Sequence, residues 1–198
     1  MNDEKNIPLK MVRENLEDIP QFAMPENFSL RWFQPGDEKI WREIQSAADK
    51  FNDITPELFQ RQFAGGAERG LQAASPDGCR SGINSALLSE RQCYLLDAHG
   101  NAIGTATAWF NNNFEGARIG RVHWVAILPE HQGKGLSKPL MTATCNRLRE
   151  LGHTRTYLST SIARIPAIRL YLRFGFEPVN RNVEDAAAWK TLRAPAKK

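Results

Sequence analysis

Residues 122–141, VHWVAILPEHQGKGLSKPLM, join an apolar run to a helical pattern through a loop that contains two glycines. Gly133 and Gly135 are separated by one lysine, and Ser137 follows at the predicted start of the helix. The first N–H groups of a helix have no acceptor within it, so a strand, a glycine loop and a helix in succession can bind an anion. The loop alone leaves two interpretations open: a plain β-to-α turn, and a cradle for phosphate oxygens.

Two common nucleotide-binding patterns do not fit this loop. A P-loop requires G-x-x-x-x-G-K-[ST], but Gly135 is followed by Leu136, and Glu130 stands where the first glycine would be. A dinucleotide fingerprint, G-x-G-x-x-G, would need a glycine at the position of Lys138. The sequence therefore argues against both classes of nucleotide loop.

The hydrophobic pattern on both sides of the loop predicts the element order β-α-α-β-β-β-α-β-α-β. Alternating residues predict strands, whereas apolar residues three and four positions apart predict helices. The predicted strands cover 29–33, 92–97, 102–110, 120–128 and 154–160, and a last strand begins at Phe176. The predicted helices follow Asp37, Thr55 and the glycine loop, and a fourth covers 167–174. This order predicts an α/β (α+β) protein with a mixed sheet.

The remaining segments are predicted to lie outside this regular pattern. Residues 64–90 are rich in Gly, Ser and Ala without a clear period, which predicts a long flexible or partly ordered segment. The stretch NNNFEG at 111–116 is predicted to be a loop. Residues 1–27 are predicted to form an N-terminal arm laid on a domain at 28–180, and residues 181–198 a C-terminal helix or tail.

The composition predicts the general class of protein. A chain of 198 residues suits one domain with a sizeable core. No apolar run reaches transmembrane length, and the charged N-terminal residues lack the apolar core of a signal peptide, so we expect a cytoplasmic protein without membrane contact. The three cysteines form no CxxC pair, which argues against a disulfide framework or a metal site. The net charge of +4 comes from scattered residues, so no nucleic-acid partner is expected.

The residues around the loop resemble a known family signature. The stretch VAILPEHQGKGLSKPLM resembles the acetyl-CoA-binding motif [QR]-x-x-G-x-[GA] of the GCN5-related N-acetyltransferase (GNAT) superfamily. Gln132 and Gly135 match this motif in register, and Ser137 replaces its small final residue.

A second signature of the same superfamily follows about 30 residues later. PAIRLYLRFGFEP at 166–178 resembles A-x-x-L-Y-x-x-x-G-F, with matches at Ala167, Leu170, Tyr171, Gly175 and Phe176. The resemblance covers roughly residues 28–180. Within the superfamily, LRWFQPGDEKIWREI at 30–44 and the paired signatures are most similar to acyltransferase domains of the mycothiol synthase type.

The resemblance implies a fold and a co-substrate. The GNAT fold has a mixed, mostly antiparallel sheet whose central strands splay apart, flanked by helices. Acetyl-CoA would be the co-substrate, without a metal ion, and its pantetheine arm would lie in the gap beside the strand at 120–128. The implied cofactor-binding residues are Val125, Ile127, Gln132, Gly133, Lys134, Gly135, Leu136, Ser137 and Arg164.

The resemblance also implies catalytic roles. Tyr171 matches a tyrosine that acts as general acid in many members, although an aromatic residue on an amphipathic helix also suits packing. Period-2 alternation places Arg121, His123, Val125 and Ile127 on one face of their strand. Some branches carry a glutamate base near the position of Arg121, so His123 is the candidate base here, with water or no base as alternatives.

Arg164 departs from the family pattern, because many members have an asparagine at this place. A guanidinium here could reach the phosphates of the cofactor, contact an acidic group on the acceptor, or lie in solvent.

The resemblance implies an acetyl-CoA-dependent N-acetyltransferase whose acceptor is the amine of a small molecule or a peptide. The alternative is a non-catalytic acyl-CoA-binding module that regulates a partner. Tyr171 and the loop glycines are both present, which favours the enzyme. Trp109 is the candidate wall of the acceptor pocket, and the resemblance leaves a homodimer open.

Overall fold

The computed structural model describes residues 6–63 and 85–179, together with positions 186, 189 and 190. Its α-helices are α1 (Glu38–Ala48), α2 (Pro56–Phe63), α3 (Ser85–Arg91), α4 (Ser137–Glu150) and α5 (Ile165–Arg173). Its strands are β1 (Pro8–Arg13), β2 (Ser29–Trp32), β3 (Gln92–Leu96), β4 (Ala102–Phe114), β5 (Ala117–Ile127), β6 (Thr156–Ser161) and β7 (Glu177–Pro178). A short 3-10 helix, Pro129–His131, separates β5 from the glycine loop.

The described strands form one sheet in the order β2-β3-β4-β5-β6-β1-β7. Every neighbouring pair is antiparallel except β5 and β6, which run parallel. The crossover between β5 and β6 contains α4, as parallel neighbours require. The predicted α/β class with a mixed, mostly antiparallel sheet is therefore confirmed.

The N-terminal segment enters the sheet and does not simply lie on the domain as a predicted arm would. Strand β1 pairs with β6 along all of its residues, from Pro8 opposite Ser161 to Arg13 opposite Thr156. Leu9 and Met11 alternate with exposed residues and are buried in the main core cluster. Part of the predicted arm is thus a strand between β6 and β7, and the sheet begins before residue 28.

The predicted loop at 111–116 is mostly strand. β4 continues to Phe114, which is buried and stacks on Tyr157 with ring centroids 4.4 Å apart. The turn contains only Glu115 and Gly116, with φ of 55° and 82°. Two successive positive φ values are those of a type I′ turn, whose twist suits a tight hairpin. Burial of the phenylalanine ring and this short turn outweigh the loop propensity of the three asparagines.

Helices pack on both faces of the sheet. Helices α1 and α2 cover one face with a mainly aromatic cluster that includes Trp41, Phe59, Phe63, Tyr94 and Trp109. The other face carries the clusters that contain the apolar side chains of α4 and α5. Each helix presents an apolar stripe at helical spacing, which must be buried against a partner.

Two predicted irregular segments are described in part. Of residues 64–90, positions 85–90 belong to α3, and 64–84 lie outside the described residues. Of the predicted C-terminal segment, positions 186, 189 and 190 are helical, and Trp189 is buried in the main core cluster. Within the described part of the chain, no helix has both the length and the apolar character needed to cross a bilayer.

Candidate functional site

A gap opens between the two parallel strands at the centre of the sheet. β5 and β6 pair only at Gly120 with Thr156 and at Arg121 with Tyr157. Beyond Arg121 the two strands diverge, although β5 continues to Ile127 and β6 to Ser161. The facing edge of β5 is therefore left without a strand partner. The splayed central strands that the resemblance implied are present.

A β-bulge in β5 lies beside this gap. The register with β4 shifts between Thr105 and Thr107, so that Thr105 faces Ala126 and Thr107 faces His123. Trp124 occupies the bulge with a φ of 49°, which is rare for a non-glycine residue. The Gln45 side chain of α1 donates from Nε2 to the Trp124 carbonyl oxygen at 2.9 Å. This hydrogen bond satisfies a main-chain acceptor at the bulge.

The bulge changes which residues share a face, so the predicted alternation along β5 is wrong beyond His123. Arg121 and His123 lie on the face covered by α1 and α2, where Phe63 contacts the His123 ring at 5.7 Å. Val125 and Ile127 lie on the opposite face, packed in the cluster beneath Leu136. An inserted residue reverses the inward and outward alternation of a strand. The main chain near Val125 and Ile127 still borders the gap.

The glycine loop has the geometry of an anion cradle. Gly133 and Gly135 have φ values of 77° and 78°, which favour glycine, and an added Cβ at either would meet no atom within 4 Å. Leu136 is only 2% exposed and anchors the end of the loop in the core. Among the described residues, none accepts a hydrogen bond from the main-chain N–H groups of 133–137. These amides precede α4, whose N-terminus adds a partial positive charge.

Gln132 ties the loop to the end of β5. Its Nε2 donates to the Ile127 carbonyl oxygen at 2.8 Å, so this side chain positions the loop beside the gap. Lys134 is exposed at the rim of the loop, and Ser137 is the first residue of α4. The sequence-predicted cofactor residues from Val125 to Ser137 thus lie together along one side of the gap.

His123 is buried and has an unpartnered ring nitrogen. The residue is 5% exposed, and its Nε2 has no hydrogen-bond partner. Burial, aided by the charge of Arg121, holds the pKa of His123 well below 6.5. The imidazole is therefore neutral at physiological pH, and the same burial and charge make it a weaker base than a free histidine.

Tyr171 lies on α5 in the cluster that also contains Val125. It is 8% exposed, and no described residue hydrogen-bonds to its hydroxyl. Burial raises the pKa of Tyr171 to about 12, against a smaller lowering by Arg164. The hydroxyl is consequently protonated over the physiological range, which is the state that a general acid needs.

Arg164 pairs with a carboxylate at the end of α1. Its Nη2 donates to both oxygens of Asp49 at 3.0 and 2.9 Å, and its guanidinium lies 5.4 Å from the Phe51 ring centroid. Asp49 follows α1, and Arg164 precedes α5. The ion pair therefore links the loop after α1 to the helix that carries Tyr171.

Sequence reasoning missed two residues of this site. Gln45 lies four positions after Trp41 on the buried stripe of α1, and a polar residue on such a stripe is the signal that could have identified it. Asp49 had no comparable signal, because its partner Arg164 is 115 residues away. Across the described residues, no group of three or more His, Cys, Asp or Glu side chains is arranged to hold a metal ion.

Comparison with known proteins yields a consistent family assignment. The model of the family described as "Acetyltransferase (GNAT) family" matches residues 52–176. A mycothiol acetyltransferase of Pseudarthrobacter chlorophenolicus is 33% identical over 80% of this chain and 45% of its own length. Another from Saccharomonospora viridis is 29% identical over 86% of this chain and 52% of its own length. The chain spans about half the length of these relatives.

Solved structures show the same fold at low sequence identity. A GCN5-related N-acetyltransferase from Sphaerobacter thermophilus has a TM-score of 0.59 at 20% identity, covering 87% of this chain and 48% of the other. The ribosomal-protein-S18-alanine N-acetyltransferase from Escherichia coli has a TM-score of 0.53 at 16% identity, covering 77% and 79%. At this identity the likeness concerns the fold alone.

Proposed function

Because this chain belongs to the GNAT acetyltransferase family, we propose that it is an acetyl-CoA-dependent N-acetyltransferase that transfers an acetyl group directly to an amine. The observation that carries this proposal is the row of unpartnered amides at 133–137, which ends at a helix N-terminus beside a gap in the sheet. A pyrophosphate is the anion that such a row suits, since each oxygen can accept from several N–H groups.

The donor would bind along one side of the gap. The pyrophosphate would accept from the amides of Gly133 to Ser137, with Lys134 adding charge at the rim. The pantetheine arm would run beside the unpaired edge of β5, near Val125 and Ile127. Since Gln132 already bonds to the Ile127 carbonyl oxygen, its role in this proposal is to hold the loop against the strand.

The acetyl group would pass to the amine in one addition and one elimination. The neutral amine attacks the thioester carbonyl carbon, which forms the C–N bond and a tetrahedral intermediate. The intermediate collapses by breaking the C–S bond, and the CoA thiolate takes the hydroxyl proton of Tyr171. The nitrogen loses a proton to His123 or to water. Tyr171 carries its proton at physiological pH and therefore has one to donate when the thiolate leaves.

Arg164 is proposed as an additional contact to the cofactor. Its pair with Asp49 uses Nη2 only, so a contact from its other nitrogens to a cofactor phosphate remains a prediction.

The acceptor is proposed only as an amine of a small molecule or a peptide. The relatives that span twice this length are named mycothiol acetyltransferases, so an amine related to mycothiol belongs among the candidates. The face that bears His123 and Trp109 lies beside the gap and is the proposed acceptor side.

Release of free CoA thiol from acetyl-CoA, measured against a panel of amines, tests this function. Acetyl-CoA binding is measured separately by calorimetry. We expect binding and an amine-dependent release of thiol. Tight binding without turnover of any amine would favour the non-catalytic acyl-CoA-binding module, and absence of binding would contradict the assignment of the cradle.

A further inference from the structure

Two polar side chains of β5 share the face on the proposed acceptor side. Arg121 faces Trp109 and His123 faces Thr107 in the register with β4, so both side chains project toward α1 and α2. Phe63 packs against both strands here, with its ring centroid 5.7 Å from that of His123 and 5.4 Å from that of Trp109. The surroundings of the two polar groups are thus largely aromatic.

Both groups have a buried nitrogen without a hydrogen-bond partner. These atoms are Nε of Arg121 and Nε2 of His123. The Arg121 guanidinium lies over the Tyr157 ring at 5.5 Å, and no carboxylate of the described residues lies within 4.0 Å of it. Burial lowers the pKa of Arg121, but a guanidinium keeps its proton at any physiological pH. Arg121 is half-buried, its Nε is a buried donor without a partner, and no described carboxylate balances its charge, so this side chain suits an anion supplied from outside the chain.

Arg121 lies at the point where the gap between β5 and β6 begins. Its pairing with Tyr157 is the last contact of β5 with β6, so the gap opens directly beyond it. His123 lies two residues further along β5, a spacing of about 7 Å in a strand. If the amine of the acceptor lies near His123, a second functional group that is only a few bonds from this amine would therefore lie beside Arg121.

Resting on the proposed function, we propose that Arg121 binds a carboxylate of the acceptor, while His123 Nε2 accepts a hydrogen bond from the amino group of the acceptor. The acceptors of this chain are then amines with a carboxylate close to the amino group, such as amino acids. The Arg121 guanidinium, which lies over the Tyr157 ring, matches a planar carboxylate, because a carboxylate accepts two parallel N–H bonds from such a fork. The same charge disfavours acceptors that carry a second cation in this position.

Matched pairs of acceptors test the proposal. Several amino acids are compared with their carboxamides, which differ from them only in the carboxylate, and kcat/KM is corrected for the fraction of neutral amine. We expect each amino acid to exceed its carboxamide by about tenfold or more, as a charge-assisted pair implies. Arg121→Gln should abolish this preference, and Arg121→Lys should restore part of it.

The control variant is Arg118→Gln. Arg118 is on the same strand but lies over the Phe110 ring, on the other face of the sheet, and it is exposed. Its loss removes the same charge and should leave the preference intact. An equal loss of preference in both variants would show a general effect of charge and would overturn the proposal.

A binding measurement decides the question without turnover. The His123 ring signals are followed by NMR while N-acetylglycine or N-acetylglycinamide is added. We expect the carboxylate alone to shift these signals in the wild type, and no shift in Arg121→Gln. Equal effects of both ligands, or none from either, would overturn the carboxylate site.

The two proposals fail in different ways. If carboxamides are acetylated as well as amino acids, the transferase function stands and the carboxylate site is wrong. If acetyl-CoA binds and no amine is acetylated, the transferase function fails, and the NMR result alone judges the carboxylate site.

Discussion

Arg164 and Asp49 form an ion pair between the start of α5 and the end of α1, with both carboxylate oxygens accepting from one nitrogen, at 3.0 and 2.9 Å. The Asp49 side chain is 4% exposed, whereas that of Arg164 is 36% exposed. Asp49 also accepts from the main-chain N–H of Phe51 and from the Asn52 amide. The pair thus connects an ordered turn to the helix of Tyr171.

We expect this pair to contribute to stability beyond an ordinary surface pair. A double-mutant cycle of Asp49→Asn and Arg164→Gln should give a coupling of about 1–2 kcal/mol in the free energy of unfolding, because one partner is buried. The exposed pair of Lys39 and Glu43, at 3.9 Å, serves as control and should give about 0.3 kcal/mol. Urea denaturation measures both cycles, and equal couplings would contradict the prediction.

Gly135→Ala should weaken acetyl-CoA binding about tenfold or more, because the loop amides would shift to relieve a φ of 78°. The left-handed backbone should also cost about 1–2 kcal/mol of unfolding free energy. Gly100→Ala is a matched control, since Gly100 has a φ of 82° in a distant turn and equally open surroundings. The control should lose similar stability while keeping its affinity for acetyl-CoA, which calorimetry measures.

Tyr171→Phe should lower kcat by about a hundredfold if the hydroxyl is the general acid. Acetyl-CoA affinity and stability should change little, because no described residue hydrogen-bonds to this hydroxyl. With a pKa of about 12, Tyr171 should also cause no fall in rate between about pH 7 and about pH 10.

The matched control is Tyr157→Phe, which removes a hydroxyl that accepts from Asn111 Nδ2 at 3.3 Å. It should keep a kcat within about threefold of the wild type. Thiol-release kinetics compare the two variants, and an unchanged kcat in Tyr171→Phe would remove this residue from the mechanism.

The buried His123 should make stability depend on pH. Its pKa is held well below 6.5 in the folded state, mainly by burial, whereas an unfolded histidine titrates near 6.5. As the pH falls through 6.5, the unfolded chain binds a proton that the folded chain does not, so this contribution to stability is lost on acidification.

His123→Gln should consequently lose less unfolding free energy than the wild type between about pH 7 and about pH 5. Denaturant titrations at several pH values measure the difference. His99→Gln, which removes an exposed imidazole from a turn, is the control. If both variants changed the pH dependence of the unfolding free energy equally, the effect could not be assigned to His123.

Gln45→Met should destabilise the protein by about 1–2 kcal/mol, because it leaves the Trp124 carbonyl oxygen without its donor. Gln21→Met is the control: Gln21 donates to the Ile19 carbonyl oxygen at 2.8 Å but is exposed, so water can replace it. Thermal unfolding compares the two variants. A cost in Gln45→Met no larger than in Gln21→Met would mean that the bulge does not depend on this bond.

The features that the sequence determined by itself are local ones. The element order from β2 onward, apart from α3, follows from hydrophobic spacing. The positive φ values at Gly133 and Gly135 follow from a residue type that tolerates them. The two signatures, at 132–137 and 167–176, indicated the loop before α4 and the helix that carries Tyr171. Each of these features depends on residues within one or two turns of chain, so the sequence could specify it.

The tertiary structure alone decided the features that depend on distant partners. The bulge at Trp124 arises from the register between β4 and β5, and it separates Val125 and Ile127 from His123 although all three alternate in the sequence. Strand β1 forms by pairing with the free edge of β6, which is distant in sequence. Asp49 and Arg164 are 115 residues apart and come into contact only in the folded protein. These arrangements are set by pairing, burial and charge across long separations, which no local period records.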